Sequence, residues 1–176
     1  MSEKIYVLHI LTTLVSGGVQ KVVLNYGMYL RKYGVIFDYV VQGKGNEEIE
    51  RQCIEDGSRI YYLPSMTKHA IQFSRELRKL LKEHPEYRII QSHQNFLNAI
   101  PLLVANIARV PIRISHSHTN RPIAKVSTKI LRTVSRALLL LVSTDLWACS
   151  EAAYSWLYGR DRRKDDKHSY ILFNSF

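Results

Sequence analysis

Short apolar runs alternate with longer amphipathic stretches along the whole chain. The runs are rich in Ile, Val, Leu and Tyr, and they predict strands at 5–11, 35–42, 59–63, 87–91, 111–115, 146–149 and 169–173. Between them, apolar residues recur at helical spacing and predict helices at 19–30, 46–55, 67–82, 96–108, 124–142 and 150–158. Strands that alternate with helices favour an α/β fold, with a parallel sheet of six to seven strands and helices on both faces.

A glycine turn, Ser16-Gly17-Gly18, separates the first predicted strand from the first predicted helix. Glycine permits positive φ and leaves room for a ligand close to the backbone. The unpaired N–H groups at the start of the helix suit an anion or a sugar hydroxyl, although an ordinary turn explains the pair equally well. The segment contains neither G-x-G-x-x-G nor G-x-x-x-x-G-K-[ST], which argues against a dinucleotide fingerprint and a P-loop.

Two histidine-bearing turns follow the fourth and fifth predicted strands. Parallel sheets bind ligands beyond the carboxyl ends of their strands, so both turns and the glycine turn fall on one candidate edge. His93, His116 and His118 are therefore candidates for acid–base chemistry. For any single one of them, a structural role is an equally good interpretation. A metal site on His116 and His118 is a further alternative, but no acid or cysteine lies nearby in sequence to complete it, so we expect no metal.

The composition fits one globular domain. Of the 176 residues, 46% are apolar, which is enough for a sizeable core. Cys53 and Cys149 give no disulfide framework and the sequence opens without a signal peptide, so we expect a cytoplasmic protein. The longest apolar run in the second half is far shorter than the ~20 residues that a membrane-spanning helix needs.

Positive charge is concentrated in the second half of the chain. The net charge is +10, and residues 87–144 contain eight arginines and lysines but no Asp or Glu. Such a field suits nucleic acid, anionic lipid or a phosphorylated ligand. In the helix predicted at 124–142, one arc carries the four residues that we call the basic stripe: Lys125, Lys129, Arg132 and Arg136. The opposite arc carries Val126, Ile130, Val134, Leu138 and Leu141.

We interpret the basic stripe as a contact surface for anionic lipid head groups. The alternative is a solvated helix face, but ordinary exposed helices mix both signs of charge. Nucleic acid fits less well, because no aromatic residues interleave the stripe for base stacking and no nucleic-acid-binding motif is present. We therefore expect no nucleic-acid partner.

Five segments resemble, in order, the N-terminal domain of family-4 glycosyltransferases of the GT-B class, closest to the capsule and exopolysaccharide type. They are the apolar strand with GGVQKVV at 17–23, QSHQNF at 91–96, VPIRISHSHTN at 110–120, ACSEAA at 148–153 and ILFN at 171–174. The resemblance implies a Rossmann-like domain that binds the acceptor. It also implies a hexosyl-type transferase at the inner face of the cell membrane, usually working without a metal or other cofactor.

The resemblance also assigns roles to residues. It implies that Gly17 and Gly18 border the cleft near the donor diphosphate, and that His116, or alternatively His118, lines the site near the transferred sugar. The remaining residues of the matching segments that we expect in the cleft are His93, Asn95, Asn120, Ser150 and Glu151. A nucleotide sugar and a lipid-linked or glycan acceptor are the implied partners.

The sequence departs from the family pattern after Asn174. Family members continue with Asn-Gly and a second Rossmann domain that holds most of the nucleotide-sugar site, whereas residues 175–176 here are Ser-Phe. We therefore expect residues 1–176 to be the N-terminal domain without the nucleotide-sugar domain, and to transfer sugar inefficiently alone. A separate donor-binding subunit or a homodimer is then an expected partner, and a non-catalytic membrane- or partner-binding scaffold is the alternative function.

Overall fold

The computed structural model describes residues 4–119, 126–159 and 168–173. It contains seven parallel strands in the order β3-β2-β1-β4-β5-β6-β7. The strands are β1 Ile5–Ile10, β2 Val35–Val41, β3 Ile60–Tyr62, β4 Ile89–Ser92, β5 Ile112–Ser117, β6 Asp145–Ala148 and β7 Ser169–Ile171. The helices are α1 Gly18–Arg31, α2 Glu47–Glu55, α3 Ala70–Glu83, α4 Ala99–Ile107, α5 Val126–Val142 and α6 Glu151–Tyr158. The predicted parallel α/β sheet is confirmed.

Two apolar cores lie on opposite faces of the sheet. Alternate residues of β1 divide between them, so that Leu8 and Ile10 belong to the larger core and Val7 to the smaller one. The larger core includes buried residues of α3, α4, α5 and α6, and the smaller one includes Val23 of α1 and Cys53 of α2. Helices therefore cover both faces, as the alternating pattern predicts.

The strand order reverses between β1 and β4. The chain runs outward from β1 through β2 to β3, then returns to pair β4 with the other side of β1. At such a reversal the loops after the two central strands lead away from each other and open a crevice at their carboxyl ends. In this chain the loop after β1 and the turn after β4 meet at that crevice, where Thr12 Oγ1 donates a hydrogen bond to Gln94 Oε1.

Three element boundaries differ from the predicted ones in ways that affect the candidate site. Strand β5 extends two residues further than predicted, so His116 lies inside the strand and not in the following turn. Pairing with β6 explains the extension, because Ser117 is in register with Ala148 and its carbonyl accepts from the Cys149 N–H. The helix predicted at 96–108 begins as a 3₁₀ turn, Asn95–Asn98, before α4. Helix α3 begins at Ala70, three residues later than predicted.

A buried carboxylate on β2 joins β2 to the segments that precede β3 and β4. Asp38 of β2 is fully buried and accepts hydrogen bonds from the Arg59 N–H and Nε, at 2.7 and 2.8 Å. The Tyr87 hydroxyl donates to the same carboxylate at 2.6 Å. This network fixes β2 against the starts of β3 and β4. The histidines lie instead at the carboxyl ends of the strands.

Candidate functional site

Four histidines meet at the carboxyl ends of β1, β4 and β5. We call His9, His93, His116 and His118 the histidine cluster. Nδ1 of His9 lies 3.0 Å from Nε2 of His93, and Nδ1 of His93 lies 2.8 Å from Nε2 of His118. The rings of His116 and His118 are 4.0 Å apart between centroids. Three of the four were candidates from sequence, and the structure brings them into contact.

Strand register and side-chain alternation explain why the four rings meet. His9 is in register with Gln91 of β4, and His93 follows β4 by one residue on the same face. Position 116 is in register with Trp147 of β6, and position 118 follows the last residue of β5 by one. All these side chains project from the face of the sheet that α1 partly covers.

Two asparagines fix the turn after β4 against β5. Asn98 is fully buried, its Oδ1 accepts from the Ser92 hydroxyl at 2.7 Å, and its Nδ2 donates to Ser115 Oγ at 3.0 Å. Asn95 has φ of 54°, a left-handed conformation that asparagine tolerates better than most residues. Its Oδ1 accepts from the His118 N–H at 3.0 Å, so Asn95 positions the end of β5 directly.

The cluster is uncharged near neutral pH. Burial lowers the pKa of His9 to about 3 and that of His118 to about 4. Burial also holds the pKa values of His93 and His116 well below the ordinary value, and the neighbouring histidines lower both further. In the described part of the chain no carboxylate hydrogen-bonds to any of the four rings, so nothing offsets the cost of burying their charge.

The His9–His93–His118 chain can carry a proton. Each neutral imidazole has one N–H and one bare nitrogen, so each hydrogen bond needs a donor on one side and an acceptor on the other. All three rings are therefore protonated either on Nδ1 or on Nε2. In the second arrangement Nδ1 of His118, which has no partner among the described residues, is a bare base at one end of the chain.

The loop that contains the glycine turn is joined to the turn after β4, and the backbone of the glycine turn differs from the expected one. Thr12 Oγ1 donates to Gln94 Oε1 at 3.2 Å, which joins the loop after β1 to the turn after β4. Gly17 is extended, with φ of −107°, and Gly18 does not have positive φ either, so neither requires glycine for its backbone conformation. A Cβ at Gly18 would meet no atom within 4 Å, so the space above the turn is open.

The other predicted cleft residues have mixed placements. Ser150 follows β6 at the same edge, where its hydroxyl accepts from the Ala153 N–H at 3.1 Å and caps α6. Glu151 is exposed in the first turn of α6. Asn120 and Lys125 lie outside the described residues. Ser150 therefore already has a structural role, independent of any ligand.

The basic stripe does not face solvent as a whole. Arg136 donates to the carbonyls of Leu157 and Trp156, at 2.8 and 3.0 Å, and so binds the C-terminal end of α6. The Arg132 guanidinium lies 5.2 Å from the Trp156 ring centroid. Lys129 is exposed.

The exposed surface of α5 is largely apolar. Ile130 is 62% exposed, Val134 61% and Leu141 81%, although these residues lie opposite the stripe on the helix. The helix is buried instead through Ser135, Leu139 and Val142. None of the described helices is both long enough and apolar enough to cross a membrane.

A cavity of about 460 Å³ adjoins the cluster on the α1 side of the sheet. Apolar strand and helix residues, among them Val22, Phe37 and Ile114, form most of its wall. His9, His93 and His116 line the end nearest the carboxyl edge. The cluster therefore borders both the crevice at the strand ends and a pocket on the sheet face.

Sequence reasoning missed three residues of the site. His9 is a polar residue inside an apolar strand, and the signal for it was available, because a polar residue in a buried strand needs a polar partner. Gln91 Nε2 lies 3.0 Å from His116 Nδ1, and Asn98 joins three segments. Neither has a signal in sequence, because both act through strand pairing that the sequence does not display.

Sequence comparison identifies relatives of the chain. The family described as Glycosyltransferase Family 4 matches residues 16–162. The protein named "Putative glycosyltransferase EpsF" of Bacillus subtilis (strain 168) is 28% identical over 164 residues, which are 92% of this chain and 43% of EpsF.

Solved structures share the fold. The crystal structure of Anabaena Alr3699/HepE in complex with UDP and glucose superposes with a TM-score of 0.66 at 14% identity, over 97% of this chain and 44% of that one. The crystal structure of Acinetobacter baumannii MurG superposes with a TM-score of 0.59 at 11% identity, over 99% of this chain and 46% of that one. The chain therefore spans a little under half the length of these relatives.

Proposed function

The chain belongs to glycosyltransferase family 4, and from this premise we propose that it is the acceptor-side half of a sugar-transfer enzyme. The sugar comes from a nucleotide-sugar donor, and the acceptor is a lipid-linked or polysaccharide molecule in cell-surface polysaccharide synthesis. The solved relative that holds UDP and glucose supports the donor class. The hexosyl type, the cytoplasmic location and the inner membrane face are parts of this proposal.

The observation that carries the proposal is the histidine cluster, which lies at the strand-order reversal, where the loop that contains the glycine turn is joined to the turn after β4. His118 is half-buried, and its Nδ1 is bare in one tautomer but buried. A rotation of the ring that exposes this nitrogen lets it accept the proton of an acceptor hydroxyl. His116, behind it, lines the site near the transferred sugar. His93 and Asn95 position His118 through the 2.8 and 3.0 Å contacts.

The remaining predicted residues complete the proposed cleft. Gly17 and Gly18 approach the donor diphosphate, for which the open space at Gly18 leaves room. Asn120, Ser150 and Glu151 border the acceptor side. Alignment of donor and acceptor in one geometry contributes as much as ~7–11 kcal/mol to catalysis, so half of such a cleft transfers sugar poorly by itself. A donor-binding domain is the proposed counterpart, supplied by the same polypeptide, by a separate subunit or by a second copy of the chain.

Acceptor binding by this chain is the direct test. Ring ¹⁵N signals of the histidines are recorded while a lipid-linked sugar acceptor is added, with His118→Gln as the variant and His69→Gln as the matched control. His69 is exposed at the start of α3, so its replacement leaves the cluster intact. We expect the acceptor to shift the cluster signals and to bind at least about tenfold more weakly to His118→Gln only, a loss of about 1.4 kcal/mol.

Transfer is measured in parallel with a panel of nucleotide sugars. Little or no product from the chain alone, and product after addition of a donor-binding partner, is the expected pattern. Equal acceptor binding by His118→Gln and the parent chain contradicts the assigned site. An acceptor that shifts only signals outside the cluster contradicts it as well.

The second candidate is a non-catalytic scaffold that binds membrane or a partner protein. The observation that favours it is the exposed apolar surface of α5, at Ile130, Val134 and Leu141, beside the exposed Lys129. Apolar side chains next to cationic ones suit an anionic bilayer surface. Binding to anionic but not zwitterionic vesicles, lost in Ile130→Asp and retained in His69→Gln, supports the membrane contact. Equal binding to both vesicle types contradicts it.

A further inference from the structure

The histidine cluster also has the geometry of a metal-binding site, independently of sugar transfer. One ring nitrogen from each of His93, His116 and His118 lies within 4.8 Å of the other two. A tetrahedral zinc ion with bonds of about 2.0–2.1 Å places its ligand nitrogens about 3.4 Å apart. The three nitrogens therefore need to approach one another by at most about 1.4 Å to reach that spacing.

Three ring nitrogens of the cluster are buried without a hydrogen-bond partner among the described residues. They are Nε2 of His9, Nε2 of His116 and Nδ1 of His118, and the last two belong to the three histidines named above. His116 is 3% exposed, so bulk water does not readily satisfy it. An unsatisfied buried polar atom costs about 1–3 kcal/mol, and a bound ion removes that cost by using the nitrogen lone pair.

The surrounding contacts match those around metal-ligating histidines, whose second ring nitrogen is held by a polar partner. Nε2 of His93 lies 3.0 Å from His9 Nδ1, which would hold it as an outer partner. Nδ1 of His93 is the ligand atom that remains, and an ion there replaces its 2.8 Å hydrogen bond with His118 Nε2. Nδ1 of His116 lies 3.0 Å from Gln91 Nε2. The Gln91 amide, turned by 180°, presents its oxygen to a protonated Nδ1 and frees Nε2 of His116 for the metal.

The donor set selects the kind of ion. Three imidazoles without a thiolate or a carboxylate suit Zn²⁺ and the neighbouring first-row ions. Metals bind neutral imidazole, which is the form in which burial keeps these rings. We propose that His93, His116 and His118 bind one Zn²⁺ ion, with His9 and Gln91 as outer partners and a fourth coordination position open to a small oxygen ligand.

The test uses the chain without a polyhistidine tag, titrated with ZnCl₂ by calorimetry and with Co²⁺ by visible absorption. We expect one ion per chain with micromolar or tighter affinity, and an intense tetrahedral Co²⁺ spectrum. His118→Gln should weaken binding at least about tenfold, and His116→Gln should do the same. His69→Gln, which alters an exposed histidine outside the cluster, should bind as the parent chain does.

Two results overturn the proposal. One is a parent chain that binds no Zn²⁺ below millimolar concentration, and the other is a folded His118→Gln variant with unchanged affinity. His118 is only half-buried, so this variant decides the question even if His116→Gln fails to fold, which circular dichroism reveals. Because no sugar or acceptor is present, metal binding and acceptor binding can succeed or fail separately.

Discussion

Mild acid should destabilise this protein far more than its carboxylates alone would. Burial keeps the pKa of His9 at about 3 and that of His118 at about 4, and it holds those of His93 and His116 well below the ordinary value. In the unfolded chain each histidine returns to about 6.5. Between these values the unfolded state binds more protons, so the free energy of unfolding falls as the pH falls through 6.5.

The magnitude follows from proton linkage. At pH 5.5 an unfolded histidine is about nine-tenths protonated, which favours unfolding by about 1.4 kcal/mol, whereas at pH 7.5 the effect is below about 0.1 kcal/mol. Four such histidines together give about 5 kcal/mol between these two pH values. That is comparable to the whole stability of a typical domain, about 5–15 kcal/mol.

Urea unfolding at pH 7.5, 6.5 and 5.5 measures this fall in the free energy of unfolding. The fall is calculated from the urea concentration at the midpoint, provided that the dependence of the free energy on urea is the same at each pH. His118→Gln should reduce the fall by about 1.4 kcal/mol, and His69→Gln, at an exposed position outside the cluster, is the control variant. Asp145 is the carboxylate that lines the cavity beside the cluster. Its side chain accepts a hydrogen bond from Thr144 Oγ1 at 2.6 Å and lies 3.6 Å from His168 Nδ1, so both of these contacts are to groups outside the cluster. A fall of less than about 2 kcal/mol in the parent chain would refute the reasoning, because the folded cluster would then be taking up protons.

Other positions give predictions of stability from the same urea assay. Asp38→Ala removes the acceptor that the partly exposed Arg59 and the buried Tyr87 share, and leaves them only their contacts to Glu86 and Tyr61; it should cost about 1.5–3 kcal/mol, and a cost below about 1 kcal/mol would contradict the network. Gly45→Ala places a Cβ 2.1 Å from a backbone oxygen and should cost about 1–3 kcal/mol, whereas Gly18→Ala meets nothing within 4 Å and should change stability by less than about 1 kcal/mol. Arg136→Gln removes charged hydrogen bonds to the end of α6 and should cost about 1–2 kcal/mol; an unchanged midpoint would show that these bonds contribute nothing.

The alternating pattern predicted the fold because each element carries its own local signal. The buried face of β1 and the apolar stripe of α1 are both visible in short windows of sequence. The boundary error at β5 has a tertiary cause. The polar segment at 115–118 has the composition of a turn, but pairing with β6 keeps it extended through Ser117.

The basic stripe shows what helical periodicity cannot decide. The spacing places Arg132 and Arg136 on one arc correctly, but it does not say which arc faces the protein. Carbonyls at the end of α6 attract those guanidiniums inward, and Ile130 and Val134 are left outside. The orientation of α5 therefore depends on where α6 ends, which is a tertiary fact.

Four histidines occupy positions where aliphatic side chains would pack as well, and this choice favours a chemical role for the cluster over a purely structural one. Its four positions continue rows of apolar side chains, with Val7 before His9 and Ile114 before His116, and aliphatic residues there would pack on the same sheet face. Histidine instead leaves unsatisfied ring nitrogens and makes the fold sensitive to acid. A stability requirement alone does not explain that choice, whereas a site that must hold a proton or an ion at the strand-order reversal does. If aliphatic replacements at His9 and His93 raise the unfolding free energy at pH 5.5 while they abolish acceptor and zinc binding, stability and function compete at these positions.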